Sequence, residues 1–174
     1  MDALTLWQPY ASLIVAGHKT IETRSWGGPS KLIGQRLAIH ASKKRISEIL
    51  HIIDAPTAGA MSGALGVSIN GLTTLSVGVV LGTVRVDGAY YVTRVDDHGA
   101  HFGQMTRDRT PGSPPLWGVR PSPHEMAFGD ISRGRWLWLL SDAKPFERPI
   151  AARGAQGVWE WTSETEEIEE RSGG

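Results

Sequence analysis

The alternation of residue types that follows Gly17 constrains the fold of this chain most strongly. Glycine readily adopts the left-handed conformation that closes a helix, so Gly17 is expected to end a short helical segment. The next residues read as a β-strand, in which every second side chain points to the same side. That side carries Thr20, Glu22, Arg24 and Trp26, with Lys19 within reach at the strand's start. The pattern predicts either a cluster of charges beside a tryptophan or, alternatively, a solvated strand face with weak surface ion pairs.

The rest of the chain predicts a mostly β protein with few helices. Strands are expected at 3–6, 36–41, 76–86, 89–95, 135–140 and 158–161, with Asp87-Gly88 as the turn of a hairpin. Helices are expected at 9–16 and 43–54, the second capped by Ser42. Residues 58–74 are interpreted as a mobile loop, and residues 96–123 as a polar flap. Many short strands with two small helices predict a compact, mostly antiparallel α+β barrel of five to seven strands.

Composition limits the class of protein. The chain has 174 residues, which suits one domain at 1–162 followed by an acidic, disordered tail at 163–174. Lysine plus arginine equals aspartate plus glutamate at 18 each, but five of the acids lie between Glu164 and Glu170, so the remainder carries five excess positive charges. Cysteine is absent, which excludes disulfides and thiolate chemistry. No apolar run approaches a membrane span and no signal peptide is visible, so a cytoplasmic protein is expected. A monomer is expected as well.

Several familiar motifs are missing or weak. No phosphate loop, GxGxxG or GxSxG occurs, so nucleoside triphosphate chemistry and α/β-hydrolase chemistry lack support. The group Asp96-Asp97-His98-Gly99-Ala100-His101 has metal-ligand residue types, but a solvated turn is the better interpretation, and no metal or cofactor is predicted. His40 ends a predicted strand, as a core residue or facing the charged cluster. Glu125 offers a second carboxylate, and two carboxylates with a lysine can activate a water molecule.

Seven tryptophans are many for a chain of this length. Trp7 and Trp26 flank the charged strand, where an aromatic face beside a cation suits a nucleobase. Either of these two is a candidate for stacking or for the core. The tryptophans at 136, 138, 159 and 161 are expected in the core.

Several motifs together resemble the ASCH domain, a family named for activating signal cointegrator homology and related to PUA-like folds. The resemblance runs from about Leu4 to Trp161, and its most specific part is Gly17-x-Lys19-x-x-Glu22-x-Arg24 after the helix begun by Gln8-Pro9. The other matching segments are Leu4 to Ala11, Leu37 to Ser42, Glu125-x-x-Phe128-Gly129, Gly134-Arg135-x-x-Trp138 and Arg153-Gly154-x-Gln156-Gly157-x-Trp159. These later segments are similar to the longer bacterial and phage members.

The resemblance implies a small β-barrel whose cleft is lined by the Gly17 to Arg24 motif and binds RNA or modified nucleosides. Some small members remove the acyl group from N4-acetylcytidine, and ribonuclease activity has been proposed for others. In the deacylases the motif lysine is catalytic and a threonine three residues later is the nucleophile. This chain keeps the lysine as Lys19 but has Glu22 at the threonine's position.

Three hypotheses follow. The first is a barrel that binds single-stranded RNA or a modified nucleoside. The second is an amidohydrolase of N4-acylated cytidine, with a ribonuclease as a further enzymatic option. The third is a partner-binding module, which a cleft filled by a side chain would favour. The candidate catalytic residues are Lys19, Glu22 and Glu125, and the candidate binding residues are Trp7, Gln8, Arg24, Trp26, His40 and Gln156.

Overall fold

A computed structural model describes residues 1–28, 30–96, 99–104 and 121–162. The strands are β1 (Asp2–Leu6), β2 (Ile21–Arg24), β3 (Arg36–Ala41), β4 (Val79–Asp96), β5 (Gly99–Gln104), β6 (Trp136–Ala151) and β7 (Val158–Glu160). The helices are α1 (Tyr10–Val15), α2 (Ala55–Leu65) and α3 (Pro123–Phe128). Short 3₁₀ turns occupy Ser30–Leu32, Ile46–Glu48, Leu50–Ile52 and Asn70–Thr74.

The strands form one strongly curled sheet. They pair in the order β2-β6-β4-β3-β1-β7, with β5 on β4, and only β1 and β3 are parallel. In a flat sheet, four strand spacings of roughly 4.8 Å would separate β2 from β1 by about 19 Å. Yet Nη2 of Arg24 on β2 donates a hydrogen bond to the carbonyl oxygen of Thr5 on β1 at 3.2 Å. The β2 edge therefore curls round to face β1.

The mostly β α+β class predicted from the sequence is confirmed, although the sheet is curled and not a closed barrel. Within the described ranges, no backbone ladder joins the outer strands β2 and β7. β2 has only four residues, and its contact with β1 is made by the Arg24 side chain. A gap consequently remains between β1 and β2.

Alternating apolar residues of the long strands and one face of α1 build the core. Its largest cluster includes the pairs Leu4 and Leu6, Leu37 and Ile39, and Val84 and Val86, which come from β1, β3 and β4. Each pair is two residues apart, so both side chains leave their strand on the same side. Ile14 of α1 and Trp138 of β6 join the same cluster. The core thus fixes α1 against the sheet beside the start of β2.

The long strands β4 and β6 depart from the sequence prediction. β4 runs through Asp87-Gly88, which was assigned to a hairpin turn, so that prediction is wrong. β6 continues past Leu140 to Ala151 and pairs with β4 along most of its length. A register shift between Val86 and Gly88 absorbs the irregularity. The turn residues are overridden because both strands keep their ladder hydrogen bonds across this point.

The second helix also begins later than predicted. Residues 43–54 contain only short 3₁₀ turns, and α2 lies where the sequence predicted a loop. The side chain of Asp54 accepts a hydrogen bond from the backbone N–H of Thr57 at 2.8 Å and caps the helix. Gly66 ends it in the left-handed conformation with φ of 65°. These end signals outweigh the apolar stripe at positions 46, 49, 50 and 53, whose helical spacing predicted a helix at 43–54.

The predicted flap at 96–123 contains β5, and α3 begins at its end. Residues 97–98 and 105–120 lie outside the described residues, as does the tail at 163–174. The interpretation of 96–101 as a solvated turn and not a metal site therefore stays a sequence prediction. The domain boundary at 162 stays a prediction as well. In the ranges that the structure describes, no helix has both the length and the apolar character needed to cross a membrane.

Candidate functional site

The turn after α1 fixes the position of Lys19. Gly17 has φ of 77°, and its N–H donates to the carbonyl of Ile14 at 3.0 Å. The N–H of His18 donates to the carbonyl of Leu13 at 2.8 Å, and that of Lys19 donates to the same oxygen at 3.1 Å. The first two bonds form a Schellman motif, the usual glycine-ended helix terminus. Local sequence thus holds the Lys19 backbone at the entrance to β2.

The side chain of Lys19 is buried in a polar environment. Only 2% of the residue is exposed, its ammonium group donates to the carbonyl of Ile21, and Nζ lies 3.8 Å from Oε2 of Glu22. Burial lowers the pKa of Lys19, while the negative charge of Glu22 partly opposes that shift. A lysine of this kind more readily gives up its proton near neutral pH than a surface lysine does.

Glu22 and Arg24 complete a group that we call the charged triad, namely Lys19, Glu22 and Arg24. Nε of Arg24 lies 3.1 Å from Oε1 of Glu22, but its N–H has no aligned acceptor. The contact is therefore mainly one of charge. Burial raises the pKa of Glu22, and the cations of Lys19 and Arg24 oppose the shift.

The triad lies at the wall of a cavity of about 630 Å³, which we call the cleft. The cleft occupies the gap between β1 and β2, and residues 127–130 at the end of α3 form part of its wall. Trp7 and Ile52 line it while remaining 44% and 64% exposed, so they form its mouth. Its volume falls within the ~300–1,000 Å³ typical of small-molecule sites. An apolar mouth above buried charges suits a ligand with an aromatic face and polar edges.

Glu125 is held away from the cleft lining by hydrogen bonds to β2. One carboxylate oxygen accepts from the backbone N–H of Thr20 and from its hydroxyl at 2.9 Å. The other accepts from the N–H of Ile21 at 3.3 Å. Ser122 caps α3 by accepting from the Glu125 N–H at 3.2 Å, a helix start that the sequence analysis did not predict. The geometry makes Glu125 a residue that positions α3 against the strand carrying the triad.

Of the two tryptophans expected near the triad, the structure brings only Trp7 to the cleft. Trp26 is half-buried and packs edge-on against Trp138, with ring centroids 5.1 Å apart. Gly28 lies against the same Trp138 ring, where a Cβ would come within 2.2 Å of it. Trp26 therefore contributes to the core in this structure.

His40 reaches the triad only through Thr5. Its Nδ1 lies 3.2 Å from the Thr5 hydroxyl and its Nε2 lies 3.2 Å from the Ala152 carbonyl. A carbonyl can only accept, so Nε2 carries the proton and Nδ1 accepts from Thr5. Burial lowers the pKa of His40, which favours this neutral form. The Thr5 carbonyl in turn accepts from Arg24, so His40 supports the strand that orients the arginine.

The two glutamine candidates lie outside the cleft lining. Gln8 is fully buried, and its amide donates to the Ser76 carbonyl at 2.8 Å and accepts from the Ser12 N–H at 3.1 Å. Both ends of that amide are therefore used to tie α1 to the chain before β4. Gln156 is exposed in the turn before β7. The binding roles of both residues stay predictions.

Sequence reasoning missed several residues of the cleft. Tyr10 lines it from α1, and burial together with the charge of Glu22 raises the pKa of its phenol. Arg135 and Asp130 line it as an ion pair at 2.6 Å. Tyr10 lies in the matching segment Leu4 to Ala11, next to Gln8-Pro9, but the sequence analysis gave it no role in the cleft. Arg135 stands in the matching segment Gly134-Arg135-x-x-Trp138, but neither it nor Asp130 was predicted to line the cleft, because their place beside β2 depends on tertiary packing.

The fold and the site define a small, mostly β protein with a ligand cleft at the open seam of a curled sheet. The chain belongs to the ASCH domain family, whose profile matches residues 4–149. The ASCH family is PUA-like, as the sequence motifs implied.

Solved structures similar to this chain include the ASCH protein of Zymomonas mobilis, at 16% identity and a TM-score of 0.47, covering 98% of this chain and 93% of that one. Two mutants of the same protein match at 16% identity and a TM-score of 0.46, covering 98% of this chain and 94% and 96% of theirs. None of the curated proteins compared with the chain matches it.

Proposed function

We propose that the cleft binds a nucleobase of single-stranded RNA or of a modified nucleoside. The observation that carries this proposal is the burial of Lys19 and Glu22, with the half-buried Arg24 beside them, in the wall of a cavity with an exposed tryptophan at its mouth. Burying charges costs free energy that a hydrophobic replacement would avoid. Charges kept in a cleft with shifted pKa values are typical of functional sites.

The chemistry of the lining matches the edges and faces of a nucleobase. The carboxylate of Glu22 is an acceptor for an exocyclic amine, as carboxylates are for the amine of cytosine. Arg24 and Lys19 supply donors for a ring carbonyl. Trp7, which lines the cleft and is 44% exposed, offers an indole face on which a base stacks.

Titration of short single-stranded RNAs and of ribonucleosides, monitored by calorimetry, tests the proposal. Lys19→Met and Arg24→Ala each remove a charged donor and are expected to weaken binding about 10- to 100-fold. Trp7→Ala is expected to cost about tenfold through lost stacking. Lys31→Ala is the control, because Lys31 pairs with Asp2 at 2.9 Å and does not line the cleft.

Absence of binding by the unsubstituted protein would overturn the proposal, as would equal losses in the control and the cleft variants. Electrophoresis of each RNA after the titration reports whether it stays intact, which covers the ribonuclease option. A cleft filled by a side chain would have favoured the partner-binding hypothesis. The cavity of about 630 Å³ removes the reason for preferring it.

A second candidate function is hydrolysis of an N4-acylated cytidine. The specific observation in its favour is the lysine of lowered pKa 3.8 Å from a carboxylate of raised pKa, since both shifts bring proton exchange by these groups closer to neutral pH. Glu22 would take a proton from water, and the resulting hydroxide would attack the acyl carbon. The carbon–nitrogen bond then breaks, and the ammonium group of Lys19 gives its proton to the departing amine, so that cytidine and a carboxylic acid are released. Glu22 then passes the proton it took from water to Lys19, which restores the carboxylate and the ammonium group.

Chromatographic detection of cytidine released from N4-acetylcytidine tests this candidate. Lys19→Met and Glu22→Gln are expected to remove nearly all turnover, because acid–base groups contribute about 10²–10⁴-fold each. Glu22→Thr restores the residue of the small deacylases and is expected to retain or raise turnover. No release by the unsubstituted protein or by Glu22→Thr, with enzyme near the substrate concentration, leaves binding as the function.

A further inference from the structure

The mouth of the cleft carries a cation that is not neutralised by any carboxylate of the described residues. Lys44 is half-buried, and its Nζ lies 4.1 Å from the centroid of the Trp7 ring. Arg135, at another part of the lining, is by contrast 2.6 Å from Asp130. Lys44 therefore places a positive charge, unpaired among the described residues, beside the aromatic residue on which a base is proposed to stack.

Lys44 is also held in position before any ligand arrives. The face of an indole attracts an ammonium group, so Trp7 restricts the conformations of the lysine side chain. The neighbouring Lys43 packs its stem against Gly78, where a Cβ would lie 3.0 Å from Cγ of Lys43. A side chain that is already restricted loses less conformational entropy on binding an anion than a free surface lysine does.

We propose that Lys44 binds a phosphate group of a ligand whose base lies in the cleft against Trp7. The ligand class is then a nucleotide or an RNA strand, and not a free nucleoside. This inference rests on the proposed function of the same cleft. A ribose separates a base from its 5′ or 3′ phosphate, so a base bound inside the cleft leaves its phosphate at the mouth, where Lys44 lies. The ammonium group is a compact point charge with three donors for the phosphate oxygens.

The test compares the four ribonucleosides with their 5′-monophosphates, their 3′-monophosphates and a short oligoribonucleotide by calorimetry. We expect at least one phosphorylated form to bind more tightly than its nucleoside. Lys44→Gln removes the charge but keeps most of the stem over Trp7, and it is expected to reduce that advantage roughly three- to fivefold, the size of one partly exposed ionic contact. Lys44→Arg is expected to keep it. Tighter binding of a monophosphate would indicate a free nucleotide as the ligand, and tighter binding of the oligoribonucleotide would indicate an RNA strand.

The outcomes separate this inference from the proposed function. Equal affinity for nucleosides and their phosphates, or a Lys44→Gln variant that keeps the whole phosphate advantage, overturns the inference while the cleft remains a base-binding site. No binding in any arm overturns the proposed function and the inference with it. Lys31→Ala, which removes the same charge elsewhere, controls for a general effect of net charge.

Discussion

At the scale of single residues, the buried charges of the triad lower the free energy of unfolding. Lys19 is 2% exposed and Glu22 is 7% exposed, and burial shifts both pKa values against the charged forms. A buried ion pair is often no more stabilising than apolar side chains of similar size. Residues that lower stability and serve no structural purpose are concentrated at sites where function requires them.

Replacing the pair should therefore stabilise the protein in a pH-dependent way. Between its lowered folded pKa and the ordinary 10.5, Lys19 binds more protons in the unfolded chain, so its contribution to stability rises with pH. Between the ordinary 4.5 and its raised folded pKa, Glu22 binds more protons in the folded state, so its contribution falls as pH rises. Both contributions are unfavourable near neutral pH.

We expect Lys19→Met/Glu22→Leu to raise the free energy of unfolding by about 1–4 kcal/mol near neutral pH. The gain in stability should shrink towards high pH, where Lys19 is neutral in both states, and towards low pH, where Glu22 is neutral in both states. Urea denaturation across the range measures it, and ligand binding should be lost in the same variant. A gain independent of pH would contradict the assigned pKa directions.

Gly28 offers a second test at this scale, because a matched control exists. Gly28 and Gly34 have φ of 70° and 81°, so alanine is strained at either position. Only at Gly28 would the new Cβ meet another group, 2.2 Å from the Trp138 ring, whereas nothing lies within 4 Å at Gly34. We expect Gly34→Ala to cost about 1–2 kcal/mol and Gly28→Ala about 1–3 kcal/mol more through overpacking. Equal losses in urea denaturation would show that the Trp138 contact is unimportant.

At the scale of elements, the sequence predicts structure best where local signals decide it. The turn at Gly17 follows from a glycine at the helix end, and the alternation after it predicts β2. The Asp87-Gly88 prediction fails because the ladder between β4 and β6 on either side of Asp87 joins Val86 to Leu140 and Gly88 to Leu139, which are more than fifty positions apart in the sequence. The cap at Asp54 was visible in the sequence, but the apolar stripe before it was given more weight.

Glu125 connects two elements, and its removal should loosen both. Its oxygens face the N–H groups of Thr20 and Ile21 and the Thr20 hydroxyl. Glu125→Gln turns one acceptor into a donor that faces donors, and we expect a loss of about 1–3 kcal/mol in the free energy of unfolding. Hydrogen exchange should also become faster at the amides of Thr20 and Ile21. Glu147→Gln, at an exposed site on β6, should stay within about 0.5 kcal/mol, and equal effects would exclude the positioning role.

At the scale of the whole molecule, the cleft exists because the sheet curls without closing. Thr5 of β1 and Arg24 of β2 meet across the gap, and residues 127–130 and Arg135 cover one side of it. The motif from Gly17 to Arg24 predicted the triad because its three residues are close in sequence, with Glu22 and Arg24 on β2 and Lys19 just before it. Tyr10 and Arg135 also line the cleft, but they were not predicted there, since their positions depend on how distant elements pack.

The negative charge of the acidic tail should weaken RNA binding by offsetting the positive charge of the rest of the protein. The stretch from Glu164 to Glu170 carries five negative charges, and the remainder of the chain carries five excess positive ones. Removing the residues after Thr162 leaves a net basic protein, which should bind RNA more tightly at low salt. The gain should be larger at ~0.01 M ionic strength, where the Debye length is about 30 Å, than at ~0.15 M, where it is about 8 Å. A full-length variant with the five glutamates changed to glutamine separates charge from bulk, and fluorescence anisotropy measures each affinity. If the truncated, neutralised and unsubstituted proteins bind RNA equally at low salt, the tail has no electrostatic role.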